Sequence, residues 1–405
     1  MLICLMAAGM FLWGASPLQA QAAGRTVSIE SCQIVGDQVV CQLKATQIPS
    51  SDDGLYYIYS NEVFQDGATG MVAATGPADA EAAISFSLQY NTPESNLSRK
   101  FLVAVKQNGQ MIQVSNEHYI TNPEAVAAYT TEPIPAGIKG ILPNGDIAKS
   151  NLKELGIQQV VYNMVLDQIC ATADTPGAIP FTYNGQIYYF NGNTIYAYDG
   201  MVKYLNQLGI KVTMVLLHFG NGEHTQHLIH PKAVGGDCPG YALNVEDAGA
   251  VNHLKAIAAF LGQRYSGKTG CGQIDNWILG NEVNARTSWW YTSSDSLDFN
   301  VSIYVKAFRI FYNELKGMNA NVRLYNSIDQ EWNRKSNPGS FLSRDYLDRF
   351  NYYMVREGNI DWGLSFHPYN SPLYDPYAWN GPSVWVKNNL STPYITMHHF
   401  CKREC

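Results

Sequence analysis

An α/β fold, a (β/α)8 barrel behind an N-terminal β-sandwich, is predicted by three features of the 405-residue chain. From Ile138 onward, near-continuous apolar runs alternate with helix-like segments, the pattern of a parallel sheet covered on both faces. Before Asn122 no helical period of useful length occurs, and short alternating runs dominate. Between them, Thr121 to Gly137 carries three prolines and several small residues, the composition of a linker or strap. The expected organisation is a signal segment at 1–23, a sandwich at 24–121, a linker at 122–136 and a barrel at 137–405.

In the N-terminal part, strands are expected at Val39–Leu43, Tyr56–Tyr59, Ile84–Leu88 and Phe101–Val105. Asn108-Gly109 sits between two strand-like runs as a hairpin turn. A sandwich of about a hundred residues follows. In the second part, the first strand is expected in Gly137–Leu142, followed by a helix around Ile147–Leu155. Further strands are expected in Gly156–Leu166, Gly209–His218, around Trp277, in Val322–Ser327 and in Asp361–Tyr369. Val251, Leu254, Ile257, Ala258 and Leu261 share one helical face. Six such units fit a barrel better than an open doubly wound sheet. No G-x-G-x-x-G follows the first strand, which argues against a dinucleotide, and no cofactor is expected.

Composition narrows the function. Charged residues make up 15% and the net charge is −7, with no basic run, which argues against nucleic acid and anionic lipid as partners. Aromatics reach 12%, with 26 Tyr and 8 Trp. That excess suits rings that stack on sugar faces, and equally a Tyr-rich exported surface. Leu2 to Trp13 is apolar and Ala20-Gln21-Ala22 is a small-x-small cleavage pattern, so secretion or a cell-surface location is expected, although the basic n-region is missing. The run is too short to span a membrane.

The strand ends carry the chemistry. Trp277-Ile278-Leu279 runs into Gly280-Asn281-Glu282, delivering a carboxylic acid and an amide to the end of a buried strand. The other strands end in Asn163, in His218, in Ser327 with Asp329 and Glu331, and in His367 with Tyr369. In a barrel these ends converge on one pocket. A carboxylic acid at a pocket mouth can act as a general acid.

This order resembles the retaining glycoside hydrolases of clan A, whose acid/base follows barrel strand 4 and whose nucleophile follows strand 7. From Gly137 to about Met397 the chain also resembles a family of secreted bacterial proteins of unassigned function, most clearly in Trp277–Asn284, Asp329–Asn333 and Trp362–Tyr369. The resemblance implies that Glu282 protonates a glycosidic oxygen and later deprotonates water, with Asn281 on the sugar 2-hydroxyl. It implies a carbohydrate substrate, with Asn163, His218, His367, Tyr369, Trp289, Trp290 and Trp332 binding it. The cluster Trp289-Trp290-Tyr291 reads either as sugar platforms or as a hydrophobic plug. For Glu282 the structural alternative is an ion pair with Arg286.

The pattern departs from that clan after Tyr369, where no apolar run ends in the required second acid. Pro393–Met397 is followed by His398-His399 and the chain stops at Cys405, so a fragment or frameshift is expected. Glu331 and Asp329, after strand 5, are the lesser alternative for that acid, because they come from the adjacent strand at the wrong angular separation. The alternative to catalysis is a secreted carbohydrate-binding or surface protein. No metal site is expected: His218, His224, His227 and His230 are spaced irregularly on a Gly-rich loop. Cys32 and Cys41 flank the Gly36-Asp37 turn and can face each other across adjacent strands. Cys170 and Cys238, both in pocket-side loops, form a second candidate pair, and Cys271 is expected to be free.

Overall fold

The structure, a computed structural model, describes residues 25–143, 151–332, 335 and 337–367. Residues 1–23, expected as a signal segment, Tyr369, the Pro393–Met397 run and the C-terminal cysteines lie outside the described residues.

The N-terminal strands are β1 (Val27–Val35), β2 (Gln38–Ala45), β3 (Leu55–Asn61), β4 (Met71–Pro77), β5 (Glu81–Ser87), β6 (Lys100–Gln107), β7 (Gln110–Gln113) and β8 (His118–Tyr119). They form two antiparallel sheets, β1-β2-β5 and β4-β3-β6-β7, with β8 paired to β6. Alternation explains the pairing: Ile29, Val39 and Phe86 of one sheet and Ile58, Phe101 and Val103 of the other share one hydrophobic core. Asn108 and Gly109 both adopt positive φ, 51° and 78°, at the β6–β7 hairpin, as a two-residue turn matched to strand twist requires.

The second part begins with β9 (Gly140–Ile141) and β10 (Gln159–Val165). A small antiparallel sheet follows, built from β11 (Cys170–Ala171), β12 (Ile179–Tyr183) and β13 (Gln186–Phe190). Then come α1 (Gly192–Gln207), β14 (Lys211–Leu217), α2 (Ala248–Arg264), β15 (Asn276–Leu279), α3 (Leu297–Met318), β16 (Arg323–Ile328), α4 (Ser343–Arg356) and β17 (Trp362–Phe366). Asn191, Asp247 and Ser296 cap α1, α2 and α3, each side chain accepting a backbone N–H three residues on.

Strands β17-β16-β15-β14-β10-β9 form one sheet in chain order, and every pair is parallel. This is a half-barrel of six strands with helices packed on its outer face. Parity divides each strand. Met214 and Leu216 point into the large core shared with the helices, whereas Val215 and Leu217 join Ile278 on the inner face.

Two expectations differ from the structure. The first strand is only two residues long. Of the helix expected at Ile147–Leu155, residues 147–150 lie outside the described residues, and 152–155 form turns. The β12–β13 hairpin is an additional element, and its Asn184-Gly185 turn, both residues at positive φ, carries the same signal as Asn108-Gly109.

The two parts are joined by polar contacts. Asn313 Nδ2 donates to the Leu97 carbonyl at 2.7 Å, Tyr90 Oη to the Gly317 carbonyl at 3.2 Å, and Lys255 Nζ lies 2.8 Å from Glu62 Oε2. The proline-rich segment is tied down: Tyr129 N–H donates to the Met318 carbonyl and Ala320 N–H to that of Tyr129.

Candidate active site

The local chain path at Glu282 is unusual. Gly280 has φ of 74°, and a Cβ there would lie 2.8 Å from Val283 Cγ1 and 3.2 Å from the Trp290 ring. Glycine is therefore the residue the turn accepts. Glu282 itself has φ of 44°, uncommon for a residue with a side chain and typical of positions held by their surroundings. The holding groups come from the neighbouring strand. Ser327 Oγ accepts the Glu282 N–H at 3.2 Å, and the Ser327 carbonyl accepts the Val283 N–H at 2.9 Å. The turn closes with the Ala285 N–H on the Glu282 carbonyl.

The Glu282 carboxylate meets His367 at the end of β17, with Nδ1 to Oε1 at 2.9 Å. The His367 backbone N–H donates to the Ile328 carbonyl, which continues the strand pairing up to the site. Ser327 Oγ also lies 3.5 Å from His367 Nε2. Residues from three consecutive strand ends thus form one cluster. Arg286, the alternative partner for Glu282, instead donates to the Gly339 and Thr292 carbonyls.

Glu282 and His367 are mostly but not fully buried, at 17% and 22% side-chain exposure, and they border a cleft of about 630 Å³ on the inner face of the half-barrel. Asn163, Asn281, Trp289 and Ser327 line it with them. The floor is apolar, formed by Val161, Val215, Leu217 and Ile278. A ring, two amides, a hydroxyl, an imidazole and a carboxylate over an apolar floor suit a neutral polar ligand with one reactive bond placed at Glu282.

Other residues expected at the pocket lie elsewhere. His218 is 5% exposed, and its Nε2 sits 3.5 Å from Asp167 Oδ1. Strand parity is the reason: His218 follows Met214 and Leu216 to the helix side. Burial lowers the His218 pKa, so the ring is held neutral. Asp167 is occupied with the following loop, accepting from Phe219 N–H at 2.7 Å and Thr225 Oγ1 at 2.7 Å. Trp290 is 2% exposed and packs edge-on against Tyr304, so it is the plug while its neighbour Trp289 faces the cleft. Trp332 is 1% exposed and meets Phe366 edge-on in the core. Tyr369 lies outside the described residues.

Asp329 and Glu331 are both buried away from the cleft lining. Asp329 Oδ1 accepts from Asn284 Nδ2 at 2.8 Å, Ser343 Oγ at 2.6 Å and Glu331 N–H at 2.8 Å. Its carboxyl is a structural clasp, and burial raises its pKa to about 6. Cys32 and Cys41 stand directly opposite in the β1–β2 register as free thiols, their Sγ atoms 3.5 Å apart. Cys170 and Cys238 are free thiols and are not paired: Cys170 is buried in the large core and Cys238 Sγ lies 3.2 Å from the Gly240 carbonyl. Among the described residues no cluster of three or more His, Cys, Asp or Glu is arranged to hold a metal.

Ser327 gained no site role from sequence, although it was visible as a strand-end residue. Ser365 and Phe219 also line the cleft. Ser365 shares its strand face with His367 two residues on, a parity signal that could have found it.

The sequence signature of a family of unknown function, DUF5722, matches residues 131–400, and the chain belongs to that family. No curated protein matches it. Among solved structures, the chain is similar to a calcium-binding mutant of β-glucuronidase 2 from Bacteroides uniformis, at 11% identity and a TM-score of 0.29, covering 83% of this chain and 37% of the other. It is similar to the family 1 β-glucosidase of Thermotoga maritima at 9% identity and a TM-score of 0.30, covering 51% and 40%. The AHE enzyme of Alicyclobacillus herbarius shares 12% identity at a TM-score of 0.30, with the same coverage. The chain thus spans well under half the length of each, and at such scores the likeness gives no residue a role.

Proposed function

We propose that the chain is a glycoside hydrolase-like protein that acts on the glycosidic bond of an oligosaccharide or polysaccharide, with Glu282 as general acid/base. The observation that carries this reading is the convergence of Glu282 and His367 at 2.9 Å on the rim of the 630 Å³ cleft. Glu282 protonates the departing oxygen, and Asn281 and Asn163 hydrogen-bond sugar hydroxyls. Trp289 offers a ring face to the C–H side of the sugar, and His367 fixes the carboxyl rotamer. Hydrolysis with retention also needs a second carboxylate about 5 Å from the first. The two antiparallel sheets that share one core are read as a β-sandwich, spanning 24–121, that props the half-barrel. The apolar N-terminal run is read as an export signal, which makes a Cys32–Cys41 disulfide reasonable.

A second reading is a non-catalytic carbohydrate binder. It is favoured by the lining of the cleft, in which Glu282 is the one carboxylate among the described residues. One experiment separates the two. Wild type and Glu282→Gln are assayed for reducing-sugar release from a panel of β-linked polysaccharides, with binding measured in parallel. Turnover by wild type that is lost in the variant while binding persists supports the enzyme. Binding with no turnover by either protein supports the binder.

A further inference from the structure

Away from the Glu282 cleft, the tip of the β12–β13 hairpin lies between the loop at 88–99, which joins β5 to β6, and helices α2 and α3. Two adjoining cavities flank the tip, an inner one of about 70 Å³ and an outer one of about 330 Å³, and Tyr183 and Asn184 border both. Neither shares a lining residue with the Glu282 cleft.

Their chemistry is distinctive. The outer cavity has no charged residue in its wall. It presents the Tyr90 and Phe181 rings and the carboxamides of Asn91, Asn184 and Gln263. The inner cavity reaches Glu314, which is 1% exposed. Glu314 Oε1 accepts from Ser98 Oγ and Tyr183 Oη, each at 2.7 Å, while Oε2 is buried with no hydrogen-bond partner. A buried carboxyl oxygen without a partner is costly, and a hydroxyl admitted to the inner cavity would supply one. Lys255, held 2.8 Å from Glu62, lines the same inner cavity.

We propose that the crevice at the Tyr183–Gly185 turn is a saccharide-binding site separate from the Glu282 cleft. The rings take the C–H faces of a neutral sugar, and the carboxamides donate to and accept from its hydroxyls. One hydroxyl reaches inward to Glu314 Oε2. A charged ligand is disfavoured by the uncharged outer wall, and a purely apolar one would leave the amides and Oε2 without partners. The proposal stands on this lining and does not require Glu282 to be catalytic.

The test is calorimetric titration of the full chain with three neutral probes: cellohexaose, xylohexaose and mannohexaose. Thr182→Arg places a long side chain in the outer cavity from an exposed position, and Gln263→Ala removes a carboxamide from the surface of α2. Trp289→Ala disables the other cleft. The expected result is saturable binding of at least one probe that survives Trp289→Ala, falls at least tenfold in Thr182→Arg and falls severalfold in Gln263→Ala. Should Thr182→Arg unfold, as circular dichroism would show, Gln263→Ala alone decides. No saturable binding of any probe by folded protein overturns the proposal, as does binding that is indifferent to the crevice variants. Turnover measured on the same samples reports on Glu282 separately, so the two readings fail by different signals.

Discussion

His367 Nδ1 lies 2.9 Å from Glu282 Oε1, tying the end of the sixth parallel strand to the turn after the fourth. The two residues are 85 positions apart, and the intervening fifth strand supplies Ser327 to both. If Glu282 is the general acid/base, Glu282→Gln lowers kcat/KM by about 10²–10⁴-fold on glycosides with poor leaving groups. His367→Ala leaves the acid in place but frees its rotamer, and the expected loss is on the order of 10²-fold in kcat with KM little changed. Steady-state kinetics on an active substrate checks both. An unaltered kcat in His367→Ala would remove the imidazole from the mechanism.

Asn284 and Asp329 are reciprocally bonded: Asn284 Nδ2 donates to Asp329 Oδ1, and the Asp329 N–H donates to Asn284 Oδ1 at 3.0 Å. Burial raises the Asp329 pKa from 3.8 to about 6. The folded state therefore holds this proton more tightly than the unfolded chain does. The stability this group contributes is fully present below about pH 3.8 and is lost as pH rises to about 6. At about 1.4 kcal/mol per pH unit, the span is worth roughly 3 kcal/mol. Asp329→Asn cannot titrate, so its unfolding free energy should fall less than that of wild type between pH 4 and pH 7. Parallel denaturant titrations at the two pH values give the difference. Identical pH dependence in the two proteins would place the clasp carboxyl at its ordinary pKa.

Cys32 and Cys41 stand opposite each other with no exposed surface, and burial pushes the Cys32 thiol well above its usual range. Thiolate is the reactive species, so a folded, reduced chain should resist oxidation, and the bridge should form as β1 and β2 pair. The expected outcome is one disulfide in protein refolded with oxidised glutathione as electron acceptor, detected by mass after alkylation. Its removal by Cys32→Ala/Cys41→Ala should cost about 2–3 kcal/mol. Quantitative alkylation of both thiols after such refolding would argue that they remain reduced.

The parallel strands were readable because a strand buried on both faces is a near-continuous apolar run, and few other elements produce one. The convergence of Asn163, Glu282 and His367 followed from strand direction alone, since parallel strands in chain order deliver their C-terminal ends to one side. What was not readable depended on facing and on local backbone. His218 stands one residue beyond Leu217, and that single step turns it from the cleft to the buried side with Asp167. The left-handed φ of Glu282 has no residue-type signature, because it is imposed by Ser327 and by the tight approach at Gly280. The β12–β13 hairpin did carry its Asn-Gly signal, but it interrupts a strand–helix unit where a direct connection was expected.

Trp289 and Trp290 are neighbours in the chain and separate a ligand role from a packing role. Sequence could not divide them, because two adjacent aromatics on an irregular loop have no fixed parity. In the structure Trp289 faces the cleft, whereas Trp290 closes the core against Tyr304, its ring centroid 5.1 Å away at a nearly perpendicular angle. Trp290 also lies close to the position a Gly280 Cβ would take, so it packs against the turn that presents Glu282. Trp290→Ala should lower stability by about 3–5 kcal/mol through the cavity it leaves. Because the turn loses its backing, it should also lower any activity that depends on Glu282. Trp289→Ala should change stability by less than about 1 kcal/mol and act on ligand affinity instead. Thermal unfolding and saccharide titration on the pair give a crossed pattern if this division is right. Equal destabilisation by both would mean that Trp289 is also core, and the cleft would then lose its aromatic wall.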